Sequence, residues 1–467
     1  MALRLGFHGG AGTVTGSKHL LSLADTSILV DCGLFQGLKE LRLRNWSPPT
    51  FNPRRVSAVV LTHAHIDHSG YIPRLIREGF RGPVFCTPAT RDLAGILLLD
   101  AARLQEEDAA HANRKGYSKH RPALPLFDER DAVLALRHFE TVPFEHWVDR
   151  GPFRFRFLPA GHILGSAFIE IEAREGSVHT GTVFSGDLGR CDAPLHADPA
   201  PLPACDTLVL EATYGDREHD HSPLGDQLLN AVQPVLQRRG VVLVPAFAVA
   251  RAQIVALELR KLMDSGRLPE VPIDVDSPMA ADVTDVYSRY AGAEDLDAIR
   301  RQGTLFPRQI RFRDTPQESK ALNDLPGPRI IISASGMLAG GRVLHHLSRL
   351  AGDRKNQILL VGFQAAGTRG RALQEGAKSI RLHGMDVPVA AEVVTLHGFS
   401  AHADADELAG WALSGPERPK TTFLVHAEPG AAREFARDLE ARDLHPVVPW
   451  LGSEYEFIPS SRRWRQV

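Results

Sequence analysis

Residues 59–70 read VVLTHAHIDHSG, and this stretch decides the fold. Val59, Val60 and Leu61 form a short β-branched apolar run of the kind that makes a buried strand. Directly after it, His63, His65, Asp67 and His68 fall within six residues. Imidazole and carboxylate groups suit zinc and similar divalent ions. Four of them just past a strand end, followed by Ser69 and Gly70, make a metal nest rather than a turn. His63 and His65 can point one way while Asp67 and His68 start a new direction, so one loop can serve two neighbouring ions. The expectation is a binuclear metal site.

The rest of the chain is read outward from that loop. Its 467 residues are too many for one ordinary domain, so two or three are expected. With 43% hydrophobic and 24% charged residues it has the material for large globular cores. The formal net charge of -2 means that a polyanionic partner would have to meet a local basic patch. Cys32, Cys86, Cys191 and Cys205 form no CxxC pair and read as buried thiols in a reducing compartment. The opening MALRLGFHGGAG does not have the make-up of a signal peptide, and no apolar run reaches membrane-spanning length. A cytoplasmic protein with no membrane contact is expected.

Leu3, Leu5 and Phe7 alternate as a strand, followed by a glycine-rich turn whose spacing fits neither GxGxxG nor a P-loop. Residues 19–23 and 28–30 read as a hairpin ending at Asp31. Past the metal loop, helices are expected over 71–78 and 89–108, with a basic surface loop over 111–125. Alternating Phe153, Phe155 and Phe157 make a strand that leads into His162. Strands over 167–172 and 182–185 follow, the second running into Asp187. His162 and Asp187 therefore sit just beyond strands, as the first loop does. From about Asp206 to Val393 strand and helix patterns alternate, which implies an open parallel sheet with helices on both faces. Arg462, Arg463 and Arg465 read as a frayed, solvated tail.

The loop resembles the HxHxDH signature of the metallo-β-lactamase fold. In that pattern Asp31 orients the metal loop from behind. His63, His65 and His162 are assigned to one ion, Asp67, His68 and His426 to the other, with Asp187 bridging. EATYG at 211–215, GFSAHAD at 398–404 and LVHAEP at 424–429 resemble motifs A, B and C of the β-CASP subfamily of nucleases. GAGTVTGS near the start, SASGM at 333–337 and GFQAAGTRGR at 362–371 extend the likeness over essentially the whole chain. It is closest to bacterial and archaeal ribonucleases related to the endonuclease subunit of the pre-mRNA 3′-end machinery.

The resemblance implies an α/β protein: a metallo-β-lactamase αββα sandwich interrupted by an inserted α/β β-CASP domain with a parallel sheet. The expected division is 1–208 and 396–467 for the sandwich and 209–395 for the insertion. Two divalent ions are implied, zinc first, with manganese also suited to the ligand set. The implied reaction is hydrolysis of single-stranded RNA by a metal-bound hydroxide, leaving 5′-phosphate and 3′-hydroxyl ends, in endonuclease or 5′-to-3′ exonuclease mode. Asp67, His402 and Glu211 take catalytic roles. His402 stands over the scissile phosphate, and Glu211 holds that imidazole's other nitrogen. His426 stands where DNA-directed members tend to have an apolar residue, which favours RNA over the alternative of a DNA 5′-nuclease. The retained ligands argue against an inactive RNA-binding scaffold. Ser335 and Gly336 would receive RNA phosphates through backbone N–H groups, and Arg251 would clamp one. The family usually has Gly before that Arg, where this chain has Ala250. A monomer is expected, a homodimer being the alternative.

Overall fold

Leu5 and Phe7 on one strand, Leu21 and Leu23 on the next, and Ile28 and Val30 on the third are all buried, and covering that face organises the amino-terminal half. In the computed structural model of the chain, residues 2–116, 118–175, 178–291, 309–382 and 384–467 are described. They form two units: Met1–Gln36, Glu40–Glu218 and His402–Val467 make the first, Gly37–Lys39 and His219–Ala401 the second.

The first unit holds two sheets. In one, Arg4–Gly9, Lys18–Leu23 and Thr26–Val30 run antiparallel, then Val56–Val60, Val84–Cys86 and Phe139–Thr141 add in parallel. In the other, Phe153–Pro159, Ala167–Glu175 and Val178–Phe184 run antiparallel, then Thr207–Glu211 and Thr421–Val425 add in parallel. Their inner faces meet over Phe7, Val60, Phe155, Phe157, Phe184 and Phe423. Each such side chain stabilises the sandwich by about 1.5–3 kcal/mol. Because strand side chains alternate, Leu158, Val183 and Leu210 face outward, where Leu408 of the helix Ala405–Ala412 and Phe435 and Leu439 of the helix Pro429–Ala441 cover them. The unit has the αββα layering expected from the sequence.

Several details depart from the sequence reading. The strand Thr207–Glu211 lies between Val178–Phe184 and Thr421–Val425, so residues 209–218 belong to the first unit, while residues 396–401 go with the second. The long helix runs Pro88–Lys115 and ends at Gly116 in the left-handed conformation, taking in the start of the expected 111–125 loop. Residues 463–466 are no frayed tail: Arg463–Gln466 pairs with Glu454–Ile458, which pairs with Arg4–Gly9, and the Arg462 guanidinium bonds Asp206. Of the four cysteines expected to be buried, Cys32 and Cys86 are, Cys205 is half-buried and Cys191 is exposed.

The second unit is built on a six-stranded, all-parallel sheet in the order Ile310–Phe312, Ile273–Asp276, Arg329–Ser333, Val241–Pro245, Gln357–Leu360, Glu392–Thr395. Both central strands are buried at every residue, with Val241–Val244 and Ile330–Ile332 as their apolar runs, as a sheet covered on both faces requires. Ala250, just before the helix Arg251–Asp264, takes φ 67° and ψ -51°, a strained geometry that glycine adopts freely. That is a physical reason for the usual glycine there. No described helix is long and apolar enough to cross a membrane.

His8 is buried beside Thr50, whose Oγ1 lies 2.7 Å from its Nδ1. Burial, helped by the Lys18 cation, lowers its pKa to about 4 from 6.5. A lowered histidine is neutral when folded, so its contribution is present above pH 6.5 and is lost as pH falls toward 4. By pH 5 the loss is about 2 kcal/mol. His8→Gln should therefore lose about 2 kcal/mol less than the wild type in urea unfolding between pH 7.5 and pH 5. An equal loss in both proteins would count against a neutral buried His8.

Candidate metal centre

The loop after Val56–Val60 is held from behind before any ligand is considered. Asp31, at φ 61° just past Thr26–Val30, accepts the Thr62 N–H at 2.8 Å and the Thr62 hydroxyl at 2.9 Å. The same carboxylate lies 2.8 Å from His68 Nδ1. The chain beside it is stitched to the loop: Cys32 N–H donates to His68 O at 2.7 Å, Leu34 N–H to Ile66 O at 2.9 Å, and Ser17 N–H to Asp67 O at 2.9 Å. Gly33 makes this approach possible, because a Cβ there would lie 1.5 Å from the Asp67 carbonyl oxygen.

The remaining donors arrive from strand ends. His162 follows Phe153–Pro159 in a turn closed by Ser166 Oγ, which accepts the His162 N–H at 3.0 Å. Asp187 follows Val178–Phe184 by way of Gly186 at φ 54°, where a side chain would strike Thr62. His426 follows Thr421–Val425 at φ 50°, its N–H bonded to Gly10 O at 2.5 Å. His402 is placed by the Ala403 N–H, which donates to Leu188 O at 2.9 Å.

These groups make two sets that share one carboxylate. His63 Nε2 lies 3.0 Å from His65 Nδ1 and 3.3 Å from Asp187 Oδ2. His162 Nε2 lies 3.2 Å from His65 Nδ1 and 3.5 Å from the same Asp187 oxygen. On the other side, His68 Nε2 lies 3.2 Å from Asp187 Oδ1, and His426 Nε2 lies 3.4 Å from Asp67 Oδ2. Four ligands placed tetrahedrally at zinc–nitrogen distances stand roughly 3.3 Å apart, so the spacing fits. His426 Nε2 is buried without a hydrogen bond, and His68 Nε2 and Asp187 Oδ1 are buried facing each other, an arrangement that costs free energy unless a cation takes these atoms up. His63, His65, His162 and Asp187 form one group able to hold an ion, and Asp67, His68 and His426 another.

Electrostatics prepares the donors for this. Burial, reinforced by neighbouring imidazoles, holds His63 below and His65 and His162 well below the usual histidine range, which keeps them neutral and able to coordinate. Burial alone would raise Asp187, but His426, His68 and His63 hold it well below the usual carboxylate range. For His68, burial is outweighed by Asp187 and Asp31, and its pKa stands well above 6.5. Binding at its Nε2 therefore displaces a proton.

His402 and Glu211 stand at the edge of the cluster. His402 Nε2 is 4.0 Å from Asp187 Oδ2, and its Nδ1 is 3.2 Å from both Glu211 oxygens. Glu211 is fully buried and already accepts the Leu188 N–H at 2.7 Å and the Thr213 hydroxyl at 2.5 Å. That engagement suits an orienting carboxylate rather than a metal ligand. All of the expected ligands, with Asp31, Glu211 and His402, thus lie together in the first unit. Ser335, Gly336 and Arg251 lie in the second. There Gly336 packs against Phe247, and Arg251 is buried at the start of its helix. The sequence reading missed Gly33, Thr62 and Thr213; the place of each threonine inside a motif was the available signal.

An αββα sandwich carrying such a donor cluster at its strand ends is the architecture of a binuclear metallo-hydrolase. The chain matches the family models described as "Beta-lactamase superfamily domain" over residues 26–243, "Beta-Casp domain" over 252–373 and "Zn-dependent metallo-hydrolase RNA specificity domain" over 386–449. It is 39% identical over 425 residues to Ribonuclease TTHA0252 of Thermus thermophilus, covering 90% of this chain and 92% of that one. It is 31% identical over 451 residues to Transcription termination factor FttA of Methanocaldococcus jannaschii, covering 93% and 68%. A crystal structure of a protein of unknown function from Enterococcus faecalis V583 shares the fold at a TM-score of 0.51 and 15% identity, covering 98% of this chain and 100% of that one. The chain belongs to the β-CASP family of metallo-β-lactamase-fold proteins.

Proposed function

We propose that the chain is a metal-dependent ribonuclease that hydrolyses phosphodiester bonds of single-stranded RNA, leaving 5′-phosphate and 3′-hydroxyl ends. The observation that carries this reading is the His402–Glu211 pair standing beside the seven clustered donors. Its support among relatives is the 39% identity to a protein named a ribonuclease. His63, His65, His162 and Asp187 would hold one divalent ion, and Asp67, His68, His426 and Asp187 the other, zinc by the donor set. Such ions, when bound, activate water and neutralise charge on the phosphodiester. Asp67 and Asp187 offer the oxygens between which a water can be oriented. His402, its Nδ1 proton on Glu211, presents Nε2 toward the phosphate and the leaving 3′-oxygen. Ser335, Gly336 and Arg251 are proposed RNA contacts, and the protein is proposed to act as a cytoplasmic monomer.

The test is incubation with 5′-labelled and internally labelled RNA beside DNA of the same sequence. RNA should be cut, the DNA left intact, and a chelator should abolish cleavage until zinc or manganese is restored. Cleavage of DNA alone would move the chain to the DNA-directed branch, and inertness toward both would return it to a binding role.

A further inference from the structure

One buried side chain touches both the donor cluster and the His402–Glu211 pair. Thr213 Oγ1 lies 2.5 Å from Glu211 Oε2, 3.0 Å from His426 Nδ1 and 3.1 Å from His426 O. A hydroxyl has one proton to give. The shortest contact is to a carboxylate, the strongest acceptor of the three, so the proton goes to Glu211. His426 Nδ1 then has to be the donor to Thr213 Oγ1, and Asp187 Oδ1, at 3.7 Å, is too far to compete for that proton. With its proton on Nδ1, the ring's lone pair is on Nε2, the buried atom beside Asp67 Oδ2.

The same construction occurs on the other side of the centre. His63 Nδ1 lies 3.0 Å from Thr62 Oγ1, and that hydroxyl donates to Asp31 Oδ2 at 2.9 Å. Each set of donors thus contains one histidine whose outer nitrogen is fixed through a threonine hydroxyl to a buried carboxylate. The Glu211 arm differs in what else it holds, since its carboxylate also carries His402.

We infer that Thr213 is a positioning residue that fixes His426 in the metal-binding tautomer and joins it, through Glu211, to His402. The link to His402 rests on the ribonuclease reading; the link to His426 does not. Without the hydroxyl, His426 Nδ1 is left without its acceptor, and the ring loses the contact that sets its orientation at that nitrogen. The effect falls on the second cation, because His426 takes no part in the first set.

The experiment is cobalt(II) titration of the metal-free protein, followed by visible absorption, beside RNA cleavage by the zinc-loaded protein. Thr213→Val should weaken the second cobalt about 10–100-fold, the usual cost of losing an outer hydrogen-bond partner, and leave the first unchanged. Its kcat should fall with KM unchanged. Thr213→Ser keeps the hydroxyl and should titrate like the wild type. If the valine variant does not fold, Thr213→Ala is read the same way. Two cobalt ions bound by Thr213→Val as tightly as by the wild type, or a serine variant as weak as the valine one, would overturn the inference. A wild type that cuts no RNA while Thr213→Val still loses the second cobalt would sink the ribonuclease reading and leave the tie to His426 standing.

Discussion

Asp187→Ala should release both cations and bring RNA cleavage down to the background rate. Asp187 turns one carboxylate oxygen to each donor set, Oδ2 lying 3.3 Å from His63 Nε2 and Oδ1 3.2 Å from His68 Nε2. Loss of a merely supporting residue costs roughly 10–100-fold in affinity or activity, and a shared ligand should cost more than that in each set. The carboxylate, with Asp31, also outweighs burial in raising the His68 pKa above its usual range. Asp187→Asn keeps the shape and removes the charge, so the two variants should behave alike. Metal analysis after gel filtration, with cleavage of labelled RNA alongside, checks the expectation. An Asp187→Ala protein that retains two zinc ions would remove the residue from the bridge.

His402→Ala should give the opposite split, full cation content and almost no cleavage. Its Nε2 stands 4.0 Å from Asp187 Oδ2 and its Nδ1 faces Glu211, and it belongs to neither donor set, so its loss should remove no ligand from either. The proton it can deliver to the leaving oxygen is worth typically 10²–10⁴-fold, and kcat should fall by that much with KM little changed. Glu211→Gln should be nearly as damaging, because an amide cannot accept from the Thr213 hydroxyl, the Leu188 N–H and His402 Nδ1 as the carboxylate does. Full activity in His402→Ala would take this imidazole out of the mechanism.

The parts that could be read from the sequence share a physical reason. Candidate donors crowded into residues 63–68, or placed just past an apolar strand as His162, Asp187 and His426 are, stand out because few other roles call for such residues there. The supporting atoms do not stand out. A threonine at a strand end is ordinary, and only three dimensions bring Thr62 to Asp31 or Thr213 to His426. Element boundaries blurred wherever apolar periodicity faded. The helix Pro88–Lys115 turns polar after residue 105 yet continues to Gly116, which stops it. The strand Arg463–Gln466 is exposed except at Trp464, which packs beside Phe423 and Phe457, and with its partner Glu454–Ile458 that one side chain orders a stretch whose arginines suggest a tail.

The contact of Gly33 with the Asp67 carbonyl bears on which ions the protein can use. Backbone at residues 17 and 32–34 grips the peptide units of Ile66, Asp67 and His68 with no room for a methyl group between them. The backbone that carries Asp67 and His68 is therefore held by main-chain bonds rather than by side chains alone. Calcium, which takes six to eight oxygen ligands at 2.3–2.6 Å, meets too few oxygens and too stiff a frame. Five imidazoles with only two carboxylates favour zinc or manganese over a larger cation that seeks oxygen.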